Sequence, residues 1–119
     1  MKLNNFAGLE LWRQTVFEIV RQTENDADLS SRQMAVLLAV YLTEPPHTVR
    51  ALAASLNISK PAVSRAIDKL SVLGLIKRQT DEKDRRSVNL ARTIDGARYV
   101  MRLGDIIAGK AQELLYSEK

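Results

Sequence analysis

Residues 49–70 read VRALAASLNISKPAVSRAIDKL, and this stretch decides the fold. Val49, Leu52, Ala53 and Leu56 recur at the spacing of one helix face, as do Val63, Ile67, Leu70 and Leu73 in the segment that follows. Thr48 and Ser59 precede the two segments as N-caps. Pro61 falls in the first turn of the second, where a missing N–H costs nothing. Between them stands Asn57, a residue that tolerates the left-handed backbone of a tight turn, with Ile58 as an apolar plug. Two short helices joined by such a turn, with the small Ala53 at their crossing, make a helix-turn-helix.

Outward from this core, residues 6–22 read as a helix on Leu9, Trp12, Val16, Ile19 and Val20. Ser30 with Gln33 forms a capping box for a helix to about Thr43, carried by Met34, Leu37, Leu38, Tyr41 and Leu42. Pro45 and Pro46 end it. On the far side, Gly74 suits a C-terminal helix cap, and the period then changes to that of strands. Leu75–Thr80 and Ser87–Arg92, the latter alternating through Val88 and Leu90, flank a turn of only charged residues, Asp81 to Arg86. Thr93 caps a last helix, about 94–116, on Ala97, Val100, Leu103, Ile107, Ala111 and Leu114. Gly104 and Gly109 weaken it or admit a neighbouring helix. No internal repeat or low-complexity tract is visible. The expected fold is mainly α with a small β-hairpin wing, a winged helix-turn-helix. Residues 1–119 are expected to form one domain, with 30–92 as the lobe that carries the helix-turn-helix and 75–92 as the wing.

Charge supports a polyanion partner. Residues 60–92 hold nine basic and four acidic residues, a net of +5, whereas residues 1–59 sum to −1 and 93–119 to zero. On a wheel of about 100° per residue, the core face of the helix 59–73 turns Pro61, Ser64, Arg65 and Asp68 outward, with Ser59 and Lys60 at its N-terminal end. Arginine can take guanine O6 and N7 together, and serine can meet base or phosphate. Lys69 adds a cation to this helix. Asp68, three residues after Arg65, is placed to fix its side chain. In the turn, Lys83, Arg85 and Arg86 have no core role, and a narrow minor groove attracts arginine. Asp84 is expected to pair with Arg86 and shape that turn.

These residues resemble the MarR family of winged-helix regulators over about residues 30–100. The resemblance rests on LSSRQMAVLLAV, on TVRALAASLNISKPAVSRAIDKLSVLGLIKR and on DEKDRRSVNLARTIDG. Asp84-Arg85-Arg86 followed by Thr93 and Gly96 is its most specific part. It implies major-groove contacts from Ser59, Lys60, Pro61, Ser64 and Arg65, and wing contacts around Arg85 and Arg86. It also implies a homodimer built through the first and last helices, 6–22 and 94–116, and a small aromatic ligand as effector. Three features depart from the family pattern. Arg92 stands where an apolar residue usually precedes the threonine, Asn89 occupies a usually apolar position, and one C-terminal helix is present where two are common.

The residues also exclude much. The absence of cysteine removes disulfides, thiolate chemistry and cysteine-rich zinc sites, and a single histidine, His47, cannot build a His-rich metal site. There is no phosphate-binding glycine loop, zinc-protease helix or Cys/His pair, so no enzyme, cofactor or metal is expected. Asp81, Glu82 and Asp84 suit a cation poorly beside Lys83, Arg85 and Arg86. No apolar run approaches the roughly 20 residues of a membrane helix, and Met1–Phe6 lacks a signal segment. A cytoplasmic protein is expected. Trp12 and Tyr41 are expected in the core, and His47 in a surface loop, rather than around a ligand. The expected function is sequence-specific binding of double-stranded DNA by a homodimeric transcription regulator on a pseudo-palindromic operator. The alternatives are a protein-interaction adaptor, for which the outward helix face lacks an aromatic or aliphatic anchor, and a nonspecific DNA-binding structural protein.

Overall fold

Every helix among the described residues starts on a side chain that accepts a hydrogen bond from one of the backbone amides left free in a first turn. In the computed structural model, which describes residues 4–23, 28–80, 83 and 88–117, Asn4 accepts from Ala7 N at 2.8 Å, opening α1 (Asn5–Gln22). Ser30 and Gln33 form the full capping box of α2 (Ser31–Leu42). Thr48 accepts from Ala51 N at 3.1 Å before α3 (Val49–Leu56), and Ser59 from Ala62 N at 3.2 Å before α4 (Lys60–Val72). Thr93 accepts from Gly96 N at 2.9 Å before α5 (Ile94–Ser117). Such a cap contributes about 1 kcal/mol, so five of them fix where the helices begin.

The helix ends follow local chemistry as directly. Asn57 closes α3 in the left-handed region, at φ 55° and ψ 45°. Gly74, at φ 76°, closes α4 with the paired bonds of a Schellman cap: Gly74 N to Ser71 O at 3.0 Å and Leu75 N to Leu70 O at 2.9 Å. The chain then enters β1 (Ile76–Thr80), which pairs antiparallel with β2 (Val88–Arg92). In the register, Ile76 faces Arg92 and Thr80 faces Val88. Val88 and Leu90 alternate as expected, and Leu90 is buried. Asn89, half-buried, lies opposite Gln79, so a polar cross-strand pair replaces the apolar one.

The protein divides into two compact units. Residues 29–100 form one, and residues 1–28 with 101–119 form the other. The core of the first is a single cluster of Val36, Leu37 and Val40 from α2, Leu52 and Ala53 from α3, Val63, Ala66, Ile67 and Leu70 from α4, and Leu75, Ile76 and Leu90 around the hairpin. The stripe read along α2 needs correcting. Val36 and Val40 are fully buried while Leu42 is 71% exposed, because α2 runs through the middle of this unit and is covered on more than one side.

In the second unit Thr15 and Leu103 are buried. Thr15 is accommodated there by a bond from its hydroxyl to Leu11 O at 2.7 Å. The helix α1 carries one short pattern twice, Glu10-x-x-Arg13-Gln14-Thr15 and Glu18-x-x-Arg21-Gln22-Thr23, a repeat missed in the sequence. In each copy the glutamate accepts from the arginine and the glutamine, and the threonine bonds a carbonyl four residues back. The apolar stripe of α1 is largely exposed, with Phe6, Leu9, Trp12 and Val20 each more than half accessible. Trp12 is therefore not a core residue of the single chain. Ile107 of α5 is likewise exposed, 44%.

Candidate nucleic-acid interface

The helix α4 reaches the surface because its apolar positions, apart from the exposed Val72 in its last turn, are spent on one side. Ala62, Val63, Ala66, Ile67 and Leu70 are buried. Ser59, Lys60, Pro61, Arg65 and Asp68 are exposed, and Ser64 and Lys69 are half-buried. The structure thus brings the helix residues read from the sequence onto one end and one accessible side of a single element. The Ser59 hydroxyl accepts one bond as the N-cap, which leaves its O–H and one lone pair for a partner. Lys60 lies at the first helical position, beside the positive end of the helix dipole, where a phosphate would be favoured.

Asp68 does not hold Arg65. Its carboxylate pairs with Arg78 Nη2, an exposed residue of β1, because the hairpin lies against α4 and brings a closer cation than the helix's own. Arg65 then has no ion-pair partner among the described residues, and none of them takes up its guanidinium donors. Lys77 and Arg78, both exposed, extend the basic surface onto the strand. Sequence reading counted their charge but did not single them out. Four of the five residues of β1 are exposed, a pattern that only the packing of the hairpin reveals. Lys83 is exposed. Arg85 and Arg86, and the expected pair of Asp84 with Arg86, lie outside the described residues.

Behind this surface, one polar junction ties three connections together. The Tyr41 hydroxyl accepts from Thr93 N at 2.9 Å and donates toward Leu75 O at 2.7 Å, with Thr93 O at 3.2 Å. The Thr93 hydroxyl donates to Gly74 O at 2.7 Å while it caps α5. Gly96 passes so close that an added Cβ would lie 1.9 Å from Tyr41 Oη and 2.0 Å from Leu75 O, so no larger residue fits. One junction therefore constrains both Thr93 and Gly96. Tyr41 is half-buried against the core, as expected.

His47 departs from its expected place on the surface. It is buried, its Nε2 lies 3.1 Å from Thr43 O, and its carbonyl accepts from Leu90 N at 3.0 Å. The loop is drawn inward because β2 needs an acceptor on its free edge. A cleft of about 280 Å³ in the unit of residues 1–28 and 101–119 is lined by Glu18, Gln22, Arg102, Asp105 and Lys110, among others. Trp12 does not line it. Among the described residues no three His, Cys, Asp or Glu side chains come together as metal ligands, and no helix is long and apolar enough to cross a membrane.

A family model described as the MarR family matches residues 27–87. Among solved structures, a mutant of MepR from S. aureus bound to an oligodeoxyribonucleotide is 22% identical, with a TM-score of 0.79 over 93% of this chain and 78% of its own. The transcriptional repressor CouR bound to a 23-mer DNA duplex is 24% identical, with a TM-score of 0.70 over 92% and 73%. The regulator BldR from Sulfolobus solfataricus is 24% identical, with a TM-score of 0.62 over 96% and 86%. At these identities the structures establish a shared winged-helix fold, and the family match, which spans half of the sequence, shows that the chain belongs to the MarR family.

Proposed function

We propose that the protein is a transcription regulator that binds double-stranded DNA sequence-specifically, as a homodimer on a pseudo-palindromic operator. In this reading α4 enters the major groove, with Ser59, Lys60, Pro61, Ser64 and Arg65 toward bases and adjoining phosphates. Lys69 adds a phosphate contact. The turn 81–86 meets the minor groove through Lys83, Arg85 and Arg86. One observation carries the proposal: the exposed end and side of α4 are short-chained, hydrogen-bonding and basic, with Arg65 unpaired among the described residues. The unit of residues 29–100 contains twelve basic and six acidic residues, a net of +6, against −2 for the remainder. Structures of MepR and CouR hold DNA, and the matched proteins are named as regulators or repressors rather than enzymes.

The exposed apolar residues of α1 and α5, among them Leu9, Trp12, Val20, Met101 and Leu115, form the dimerisation surface in this reading. Patches of that kind rarely stay uncovered in a soluble protein. Two α4 helices would then address half-sites about 34 Å apart. A small aromatic effector belongs to the same reading, since MepR has been solved with ethidium bromide bound. Tyr41 is not its ligand-binding group, because its hydroxyl is already engaged. The site of action is the cytoplasm, where the DNA is.

The test is fluorescence anisotropy with a random-sequence duplex pool across a salt series, followed by sequencing of the retained fraction. Salt-sensitive binding with enrichment of a two-fold symmetric motif is expected. Salt-sensitive binding without enrichment refutes sequence specificity, and no binding at low salt refutes the DNA reading.

A further inference from the structure

Arg92 ends β2 at the position where an apolar residue usually stands before the threonine. Its side chain is exposed yet committed. Nε donates to Val40 O at 3.0 Å, and the guanidinium carbon lies 5.7 Å from the centroid of the Tyr41 ring. Val40 belongs to the last turn of α2, whose final carbonyls have no partner within the helix. The carbonyl of Ala39 is taken by the N–H and hydroxyl of Thr43. That of Val40 accepts from Arg92. A cation is favoured at that end of the helix dipole, and a tyrosine face adds attraction for a guanidinium. The residue that departs from the family pattern is therefore a helix cap supplied across 52 positions of sequence.

We infer that Arg92 is a positioning residue, a clasp that fixes the base of the hairpin to α2 and so sets where the basic turn meets DNA. The inference rests on the DNA-binding reading for its consequence, but not for the clasp. The neighbouring ties are Leu90 N to His47 O at 3.0 Å, Thr93 Oγ1 to Gly74 O at 2.7 Å and the Tyr41 hydroxyl between Thr93 N and Leu75 O. Of these only the tyrosine also reaches α2, and it holds the residue after the strand rather than the strand itself. Between Arg92 and Val88 lies about 13 Å of strand. A rotation of about 10° at the clasp would displace Val88 by about 2 Å, and the turn beyond it by more. That exceeds the tolerance of a hydrogen bond, so contacts made by the turn depend on a residue that need not touch DNA.

Two readouts on the full chain test this. In Arg92→Leu, the amide of Leu90 and its strand neighbours should exchange with deuterium at least about tenfold faster, with Ile67 and Leu70 of α4 unchanged. The same variant should bind a random-sequence 30-bp duplex pool about tenfold more weakly, with a shallower salt dependence. Replacing Lys83, Arg85 and Arg86 by alanine should then cost clearly less affinity in the Arg92→Leu background than in the wild type. Unchanged hairpin exchange, or alanine losses that add in full, overturns the inference. Should the wild type bind no duplex, the proposed function falls while the exchange rates still decide the clasp. If Arg92→Leu does not fold, Arg92→Lys keeps the charge, loses the Nε bond and should show the same changes at several-fold size.

Discussion

The tight packing at Gly96 makes the sharpest prediction. Replacing Gly96 by alanine would ordinarily stabilise a helix by about 1 kcal/mol. Here the new Cβ would lie 1.9 Å from the Tyr41 hydroxyl and 2.0 Å from the carbonyl oxygen of Leu75, each more than about 1 Å inside ordinary contact. The tyrosine can turn away only by giving up its bonds to Thr93 N and Leu75 O. The Leu75 carbonyl is backbone and has no such freedom, so the start of α5 must move. Overpacking of this kind costs about 3 kcal/mol or more, which leaves a net loss of about 2–3 kcal/mol after the helical gain. For a chain of this size that is a fall in Tm of roughly 10 °C.

Urea unfolding followed by circular dichroism measures this loss, and Tyr41→Phe separates its two parts. Alone, Tyr41→Phe should cost about 1–3 kcal/mol, because it strands the amide of Thr93 without its acceptor. Combined with Gly96→Ala it should cost less than the sum, since the 1.9 Å clash with the hydroxyl is gone, although the ring carbon Cζ still lies 2.8 Å from the new Cβ. The second clash, with Leu75 O, keeps Gly96→Ala destabilising even in the Tyr41→Phe background. A Gly96→Ala variant as stable as the wild type would refute the reasoning, for the helical gain would then be acting with nothing to oppose it.

Three further perturbations probe other links. Asn57, at φ 55°, should accept glycine with little change in urea midpoint but lose about 1–2 kcal/mol on replacement by valine. Arg65→Ala should relax base preference in a selection experiment, whereas Lys83→Ala and Arg85→Ala should weaken all duplexes evenly; equal loss of preference from both kinds of variant would contradict the division between groove reader and wing. The bonds from Arg13 and then Gln14 hold the Glu10 carboxyl down at about 2. Because this folded value lies below the ordinary one, the contribution of Glu10 is complete above about pH 4.5 and fades as pH falls toward 2. A carboxyl NMR titration of Glu10 should therefore show a midpoint well below the ordinary 4.5, and Arg13→Ala should move it back up.

What the sequence made legible was whatever depends on neighbours in the chain. The caps at Ser30, Thr48, Ser59 and Thr93, the left-handed Asn57, the glycine cap at Gly74 and the outward side of α4 are local, because each is set within about four residues. What it did not make legible depends on elements distant in sequence. Asp68 was matched to Arg65 because helical spacing was the only geometry available, and Arg78 became its partner only once β1 folded against α4. His47 reads as a loop residue until the free edge of β2 demands its carbonyl. Arg92 reads as an anomaly until the end of α2, 52 residues away, needs a donor.

The exposed stripe of α1 belongs to neither class, and its physics is the more instructive. Periodicity says that Leu9, Trp12 and Val20 must be covered, but not by what. In the single chain they remain 65%, 59% and 58% exposed. The same 3.6-residue rule that located the core of α4 therefore gives the right pattern and the wrong partner, because hydrophobic burial is indifferent to whether the covering surface lies on the same chain. Exposed apolar residues at a regular helical period are the pattern that the proposed dimer would cover. On the proposed reading, α1 and α5 complete their burial only in the dimer, and the stability of those helices should then depend on protein concentration while that of residues 29–93 does not.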